Sequence, residues 1–248
     1  MKFEKYHIAA EIKRNLSGLG FKRPTDIQYK AIPSIMKGED VLAIAQTGTG
    51  KTAAFAIPII DKIHRIKSSK RSRGIKCIIM VPTRELASQI NGVLNDFSKH
   101  TKVKSFAVYG GVDQDPQIKK LKDGIDVLTA TPGRMFDLIS QKVISVKHVD
   151  TLVLDEADQM LDLGFINDIV AIKKKLVRKH QTLFFSATIN KTIKKLAFSQ
   201  VKSSAIRIQI SPDDPVSKNV SHFVMFVEMD DKRFFLRRFI RDNPESKV

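Results

Sequence analysis

Two short stretches of this 248-residue chain combine residue types that bind a nucleotide and act on its phosphates. The first, residues 45–52, matches a phosphate-binding P-loop, except that Ala45 stands where the general pattern begins with glycine. Glycines let the backbone approach an anion closely, and the N-terminus of the following helix favours negative charge. We therefore expect Lys51 to reach the β- and γ-phosphates and Thr52 to hold Mg²⁺. The predicted phosphate cradle consists of Gln46, Thr47, Gly48, Thr49 and Gly50.

The second stretch is an acidic cluster that directly follows the apolar run 149–154. A carboxylate at the end of a buried strand is a typical Mg²⁺ ligand, so Asp155 is the predicted partner of Thr52 at the metal. An adjacent glutamate can orient and deprotonate the attacking water, which is the role predicted for Glu156. The alternative is that these acidic residues, with Asp158, only cap a helix.

Six apolar runs of strand length could position these residues. They cover residues 41–45, 75–81, 103–109, 125–130, 149–154 and 182–185, with helical patterns between several of them. Ahead of them, Ile8, Ile12, Leu16 and Leu19 recur at helical spacing, and a second helix that has Thr25 as its N-cap is predicted to run to Met36. This order predicts an α/β fold with a mostly parallel central sheet and helices on both faces.

Polar residues and glycines follow the predicted strands, where the sheet of an α/β protein binds its ligands. An arginine at an exposed helix start suits a backbone phosphate, which applies to Arg84 after Thr83. Further positions on the same rim are Gly110, Gly111, Thr131, Gly133, Arg134, Ser186 and Thr188. The two hydroxyls of Ser186 and Thr188 can bond Asp158 or a phosphate network. The alternative for the glycines is ordinary turn chemistry.

The composition favours a polyanionic partner and excludes several classes of protein. A formal charge of +17 favours nucleic acid, although charge of this kind also serves solubility. The basic stretch 67–74 is predicted to be an exposed loop and, secondarily, an RNA contact. No apolar run is long enough to cross a membrane and the N-terminus has no signal-peptide pattern, so we expect a cytoplasmic protein. Cys77 is the only cysteine, which excludes an internal disulfide and a cysteine-clustered zinc site.

Taken in order, these motifs resemble those of the DEAD-box ATP-dependent RNA helicases over residues 3–210. The resemblance implies a RecA-like P-loop NTPase lobe. Residues 20–28 resemble the Q motif, with Phe3 at the upstream aromatic position, and residues 45–52 resemble motif I in the family's form with a leading alanine. The other similar elements are motif Ia at 82–87, the GG element at 110–111, motif Ib at 131–134, motif II at 155–158 and motif III at 186–188.

The resemblance also implies roles for individual residues. Phe21 would stack on adenine, and Arg23 and Gln28 would join it at the nucleotide. The glutamine amide can donate to adenine N7 and accept from the exocyclic amine, a pair of bonds that guanine does not match. The RNA sugar-phosphate backbone would contact Thr83, Arg84, Gly111, Thr131, Gly133 and Arg134. Asp158, Ser186 and Thr188 would couple the ATP state to the grip on RNA.

The chain departs from the family pattern after residue 210. Family members need a second RecA-like lobe whose motifs include arginine fingers, and residues 211–248 contain none of them. We expect 1–210 to be the first lobe, 211–219 an interlobe linker and 220–248 the beginning of the second lobe. Alternation at Phe223, Met225 and Val227 predicts a strand, and a helix is predicted around residues 235–240. These apolar elements are predicted to dock on the first lobe, pair with another copy or stay disordered.

The leading functional prediction is an RNA helicase that couples ATP hydrolysis to sequence-independent unwinding or to remodelling of RNA–protein complexes. This chain alone is expected to be nearly inactive because it lacks the arginine fingers. The alternative is an ATP-dependent RNA clamp that serves as an assembly platform and rarely unwinds. A GTPase is disfavoured because the guanine-reading pattern that begins at Asn190 has Ile193 where a carboxylate is required.

Overall fold

The computed structural model describes residues 2–69, 74–210 and 225–243. The chain divides into two compact units, Met1–Ser211 and Pro212–Val248, which are treated separately below. The predicted linker, residues 211–219, lies outside the described residues, as does the start of the predicted second lobe up to residue 224.

The first unit is built on one parallel sheet of seven strands, in the order β3-β4-β2-β5-β6-β1-β7. Every pairing between neighbouring strands is parallel. This confirms the predicted α/β fold with a parallel central sheet. The strands are β1 (Val41–Ile44), β2 (Cys77–Met80), β3 (Ser105–Val108), β4 (Val127–Ala130), β5 (Thr151–Leu154), β6 (Gln181–Ser186) and β7 (Ile206–Gln209).

Six strands coincide with the predicted apolar runs, and the seventh was not predicted. Five of those runs are longer than their strands because they include buried connecting residues such as Ile75 and Val103. β7 pairs with β1 at the edge of the sheet, and its Ile206 and Ile208 alternate with polar residues. That alternation was the available signal for a strand with one face against the core.

Helices cover both faces of the sheet, as predicted. Successive strand residues point to opposite faces, so Val41 and Ala43 join one core while Leu42 and Ile44 join the other. The first four helices pack on the first core and the next five on the second. They are α1 (Ala10–Gly18), α2 (Asp26–Met36), α3 (Lys51–Ser69), α4 (Arg84–Ser98), α5 (Asp115–Lys122), α6 (Pro132–Ser140), α7 (Ala157–Asp162), α8 (Ile166–Lys175) and α9 (Lys191–Gln200). Among the described residues, no helix combines the length and apolar character needed to span a membrane.

The first predicted helix is confirmed with different bounds, and one predicted loop was partly wrong. The helical pattern predicted from Ile8 begins only at Ala10, and Leu19 at its far end is 42% exposed. The predicted loop over 67–74 is helical as far as Ser69, because Lys67 is held by an ion pair of 2.8 Å with the buried carboxylate of Asp126. Residues 70–73 of that stretch lie outside the described residues.

The second unit contains the helix α10 (Lys232–Asp242). Its apolar residues Leu236, Phe239 and Ile240 are 58%, 52% and 41% exposed, and they follow the predicted spacing of a helix with one apolar side. The predicted strand before it is absent at Met225 and Val227 because neither residue pairs with another strand, and Phe223 lies outside the described residues.

Candidate nucleotide and RNA site

The carboxyl ends of six strands bring the predicted site residues to one rim, in an order that follows the sheet. Strands β3, β4 and β2 are neighbours and are followed by the three predicted RNA loops, at residues 110–111, 131–134 and 83–84. Strands β5, β6 and β1 come next and are followed by the acidic cluster, by residues 186–188 and by the P-loop. Because β6 lies between β5 and β1, the predicted coupling residues Ser186 and Thr188 stand between the two halves of the predicted nucleotide site, while Asp158 belongs to the acidic half.

The P-loop backbone has the conformation that its glycines allow. Gly48 and Gly50 have φ angles of +80° and +90°, a region that other residues adopt at a cost. The hydroxyl of Thr49 donates to the carbonyl of Gln46 at 2.8 Å, which closes the turn. Helix α3 starts directly afterwards at Lys51, so its first backbone N–H groups lie next to the loop.

The Q-motif residues hold this loop from the side. Gln28 is 2% exposed, and its Nε2 donates to the carbonyl of Gly50 at 3.1 Å while its Oε1 accepts from the backbone N–H of Thr25 at 3.0 Å. The hydroxyl of Thr25 donates to the carbonyl of Thr49 at 2.8 Å. A Cβ on Gly50 would lie 2.4 Å from Gln28 Nε2, so any larger residue here would displace this buried amide. The loop and the first turn of α2 therefore form one connected structure.

Phe21 and Arg23 lie beside a separate hollow of about 360 Å³, which Phe3 and Lys22 also line. The ring of Phe21 is half-buried and packs edge-on against Phe97, with 5.3 Å between ring centres. Gln28 does not line this hollow, because its amide is bonded to the P-loop. Of the three residues predicted to act on adenine, Phe21 and Arg23 thus line this hollow and Gln28 does not.

Lys51 and Asp155 bring opposite charges together in the buried part of the site. Lys51 is 6% exposed, and its Nζ has no hydrogen-bond partner among the described residues. Asp155 is 2% exposed, and burial raises the pKa of its carboxyl to about 6, although the nearby ammonium of Lys51 acts in the opposite direction. Glu156 and Asp158 add to the increase because their negative charges oppose ionisation of Asp155.

Glu156 has an unusual backbone conformation at the mouth of the site. Its φ of 52° and ψ of 49° are left-handed, and its N–H donates to Asp155 Oδ1 at 3.0 Å. A residue other than glycine in this region costs free energy, and such residues occur disproportionately in functional sites. No side-chain capping bond is formed by Glu156 at the start of α7, so capping does not account for this residue.

Asp158 joins the end of β6 through one carboxylate oxygen. Its Oδ2 accepts from the backbone N–H groups of Ala187 and Thr188, at 3.1 and 2.9 Å, and from the Thr188 hydroxyl at 3.0 Å. The hydroxyl of Ser186 instead donates to the carbonyl of Thr188 at 2.8 Å. Of the two predicted hydroxyl partners, only Thr188 therefore bonds Asp158 directly.

Two of the predicted RNA contacts lie against each other. A Cβ on Gly111 would be 3.6 Å from the guanidinium of Arg84, and Gly111 has a φ of +79°. The Arg84 side chain is 60% exposed, and its Nε donates to Glu85 at 2.5 Å. This hydrogen bond raises the pKa of Arg84 and lowers that of Glu85. Thr83 caps α4, accepting from the N–H of Leu86 at 3.2 Å.

The remaining predicted RNA contacts continue along the rim. Arg134 donates through one terminal nitrogen to the carbonyl of Val112 at 2.8 Å, which places it beside the loop after β3. Its other terminal nitrogen is buried without a partner among the described residues. Thr131 is the N-cap of α6, yet its side chain makes no capping bond. Gly133 is exposed with open space around its Cβ position, so the fold itself does not require glycine there.

Three residues complete these contacts and were not predicted as site residues. Thr25 bonds the P-loop and appeared only as a helix cap, Glu85 pairs with Arg84, and Val112 anchors Arg134. Glu85 was recognisable because it follows Arg84 directly, whereas the other two contacts join distant parts of the chain. Asn190, the start of the disfavoured guanine-reading pattern, caps α9 by accepting from the N–H of Ile193 at 2.8 Å.

Comparison with known proteins agrees with this geometry. The model of the DEAD/DEAH box helicase family matches residues 25–196, which is most of the chain. The chain belongs to the DEAD/DEAH box helicase family. The match covers the P-loop and the loops after β2 to β6, while Phe3, Phe21, Arg23 and α10 lie outside it.

Individual relatives are similar over almost the whole chain. The DEAD-box ATP-dependent RNA helicase CshA of Bacillus cereus is 37% identical over 94% of this chain and 43% of its own length. The corresponding helicase of Listeria monocytogenes is 39% identical over 94% of this chain and 44% of its own length. The CshA helicase of Bacillus subtilis is 35% identical over 99% of this chain and 49% of its own length. This chain therefore spans less than half the length of these relatives.

Proposed function

We propose that this chain is the ATP-binding lobe of a cytoplasmic ATP-dependent RNA helicase. Such a protein contacts the sugar-phosphate backbone of RNA and couples ATP hydrolysis to local unwinding or to remodelling of RNA–protein complexes. The observation that carries the proposal is the buried ammonium of Lys51, which has no hydrogen-bond partner among the described residues and lies near the buried carboxylate of Asp155. A buried charge without a hydrogen-bond partner is costly, and a phosphate with its metal ion would satisfy both groups.

The side chains at this position fit Mg²⁺ and a nucleotide triphosphate. Mg²⁺ is usually bound by one or two protein groups together with substrate phosphates, and Thr52 and Asp155 would be those groups. When bound, the ion neutralises charge on the β- and γ-phosphate oxygens. Lys51 would hold the same oxygens. Glu156 would accept a proton from the attacking water, and its left-handed backbone conformation would fix where the carboxylate lies.

Gln28 supports adenine as the base, in spite of its bonds to the chain. Its Nε2 carries two hydrogens and donates only one of them to Gly50. The second hydrogen would be left for adenine N7, and the second lone pair of Oε1 for the exocyclic amine. Phe21 and Arg23, beside the neighbouring hollow, would hold the base or the sugar. ATP binding would then be sensed by the P-loop and α2 together.

The other half of the rim would hold RNA. Arg84 and Arg134 both lie against the loop after β3, and Gly111 and Gly133 leave room for a backbone to approach. Such contacts with phosphate and sugar do not read sequence. Asp158, through its bonds to the end of β6, would transmit the state of the nucleotide to the RNA half.

The direct test is RNA-stimulated ATPase activity in a chain of the relatives' length, with Glu156→Gln as the matched variant. We expect RNA to stimulate hydrolysis and Glu156→Gln to abolish it while ATP binding is retained. Residues 1–248 alone should hydrolyse ATP very slowly, because loss of an arginine finger costs on the order of 10³ to 10⁵ in rate. Vigorous RNA-stimulated hydrolysis by these 248 residues, or full activity of Glu156→Gln, would contradict the proposal. Unwinding of a short duplex would distinguish the helicase from an RNA clamp.

The apolar side of α10 suggests a protein partner. In a chain of the relatives' length, we propose that a second RecA-like lobe covers Leu236, Phe239 and Ile240. In this chain the same residues would promote self-association. Analytical ultracentrifugation of the chain with and without residues 216–248 tests this. An unchanged oligomeric state together with an unchanged thermal stability would refute both self-association and docking of the tail.

A further inference from the structure

One surface of the first unit is almost exclusively positive, and the nucleotide and RNA site does not use it. Residues 169–210 contain ten Lys and Arg residues and no Asp or Glu, so they supply ten of the seventeen net positive charges. This segment covers most of α8, all of α9 and the strands β6 and β7. The exposed basic residues, here called the basic surface, are Lys174, Lys175, Arg178, Lys179, Lys191, Lys194, Lys195, Lys202 and Arg207.

Contacts within the fold bring separate parts of this segment together. At the end of α8, Lys173 donates to the carbonyls of Ser199 and Gln200 at the end of α9, at 2.8 and 2.5 Å. On the other side, the guanidinium of Arg207 in β7 lies 4.6 Å from the ring centre of Phe198 in α9. These contacts make α8 and β7 neighbours of α9, so the three elements that carry the basic surface are adjacent in the fold.

Among the described residues, one carboxylate forms an ion pair with this surface. Asp40 is the carboxylate in direct contact with it, and Asp40 is 4% exposed and bonded to Lys202 Nζ at 3.0 Å and to the N–H groups of Lys202 and Thr182. It thus neutralises one lysine from inside the fold. Like charges crowded on a surface repel one another, and a polyanion relieves that repulsion.

Part of the basic surface lies at the edge of the sheet opposite the rim, whereas Lys191 starts α9 close to the carboxyl end of β6. The connections at 176–180 and 201–205 precede β6 and β7, so they lie at the amino ends of the strands. The P-loop and the predicted RNA contacts lie at the carboxyl ends. A short strand bound along the rim would therefore not reach Lys175, Arg178 or Lys179, whereas a longer RNA would continue onto them.

We propose that the basic surface is a second, sequence-independent RNA-binding surface, which holds RNA that extends beyond the rim. The inference rests on the proposed function in taking RNA as the polyanion. Lysines spread over two helices and a loop suit a phosphate chain, which they contact as point charges. The guanidinium of Arg207, stacked on the exposed ring of Phe198, adds a planar group of the kind on which unpaired bases stack.

The test compares two triple variants with the same change in charge. Lys175, Lys179 and Lys195 become glutamine in one, and Lys119, Lys120 and Lys122 of α5 in the control. All six side chains are exposed and make no hydrogen bond or ion pair with the described residues. Fluorescence anisotropy would measure binding of the 248-residue chain to a short RNA of about 6 nucleotides, the size of a single site, and to a several-fold longer one. Each titration is repeated over a range of salt concentrations.

The basic-surface variant should bind the longer RNA several-fold more weakly. The slope of log affinity against log salt concentration should also become shallower by roughly 2, because each of the three lost phosphate contacts contributes about 0.7 to it. The short RNA and the α5 control should be unaffected. Equal losses in both triple variants, or none in either, would overturn the inference. Displacement of the longer RNA by polyglutamate as effectively as by unlabelled RNA would also overturn it, in favour of an acidic protein.

Failure of the proposed function would give a different result. Arg84→Gln should weaken binding of the short RNA. If Arg84→Gln changes the affinity for neither RNA while the basic-surface variant binds the longer RNA more weakly, the proposed RNA site on the rim is refuted and the basic-surface proposal is supported. If Arg84→Gln weakens binding of both RNAs and the basic-surface variant weakens binding of neither, the RNA site on the rim is supported and the basic-surface proposal is refuted.

Discussion

Replacing Asp155 by asparagine should stabilise the nucleotide-free protein, although it removes a predicted metal ligand. The folded protein raises the pKa of Asp155 from 3.8 to about 6, mainly through burial, so the charged form is disfavoured in the fold. A difference of about 2 pKa units corresponds to about 3 kcal/mol. The folded state binds the proton more tightly than the unfolded chain, so this free energy is available below about pH 4 and is lost as the pH rises through about 6. Asparagine is uncharged at every pH, so the variant does not lose this free energy of unfolding as the pH rises.

We therefore expect Asp155→Asn to exceed the parent in free energy of unfolding by up to about 3 kcal/mol at about pH 8, and to equal it near pH 4. Urea unfolding followed by circular dichroism at several pH values measures this difference. The control is Asp123→Asn, which changes an exposed carboxylate at the end of α5. A variant that is less stable than the parent at about pH 8, or a difference independent of pH, would refute the reasoning. ATP with Mg²⁺ should stabilise only the parent.

Three further predictions concern the loop and the rim. Gly50→Ala should reduce stability and ATP affinity more than Gly48→Ala does, because both pay about 1 to 2 kcal/mol for positive φ but only the Cβ at 50 meets Gln28; equal effects in urea unfolding and ATP titration would contradict this. Glu85→Gln should strengthen RNA binding in anisotropy titrations by freeing Arg84 for phosphate, and weaker binding would count against it. Thr188→Val should lower the free energy of unfolding by about 1 to 2 kcal/mol through loss of the hydroxyl bond to a carboxylate, and an unchanged value would argue against that bond.

Sequence reasoning predicted the shared rim because it depends on a local rule. An apolar run followed by Gly, Thr, Arg or Asp marks a strand end, and all parallel strands end at the same edge. The lateral order of the strands depends on long-range packing, so the position of Ser186 between Asp155 and the P-loop was not predictable. The hydrogen bond from Gln28 to Gly50 was not predictable either, because the two residues lie in different elements that are brought together by packing.

Errors arose where burial and polarity conflict locally. Lys67 is polar and was assigned to a loop, but a distant buried aspartate holds it at the end of α3. β7 was missed because it lies at an edge of the sheet, where only one of its faces is apolar. The predicted strand near Met225 and Val227 did not form, because a strand needs a neighbour and none pairs with these residues within the described range.

The most direct test of the central claim is calorimetric titration of the 248-residue chain with ATP and Mg²⁺, comparing the parent with Lys51→Ala. Lys30→Ala, which removes an exposed lysine of α2, is the control. The parent and the control should bind one ATP with equal affinity, and Lys51→Ala should bind at least about tenfold more weakly, because a charge-assisted bond to phosphate contributes 1.5 to 3 kcal/mol. Equal ATP affinity in Lys51→Ala and the parent would contradict a nucleotide site between Lys51 and Asp155.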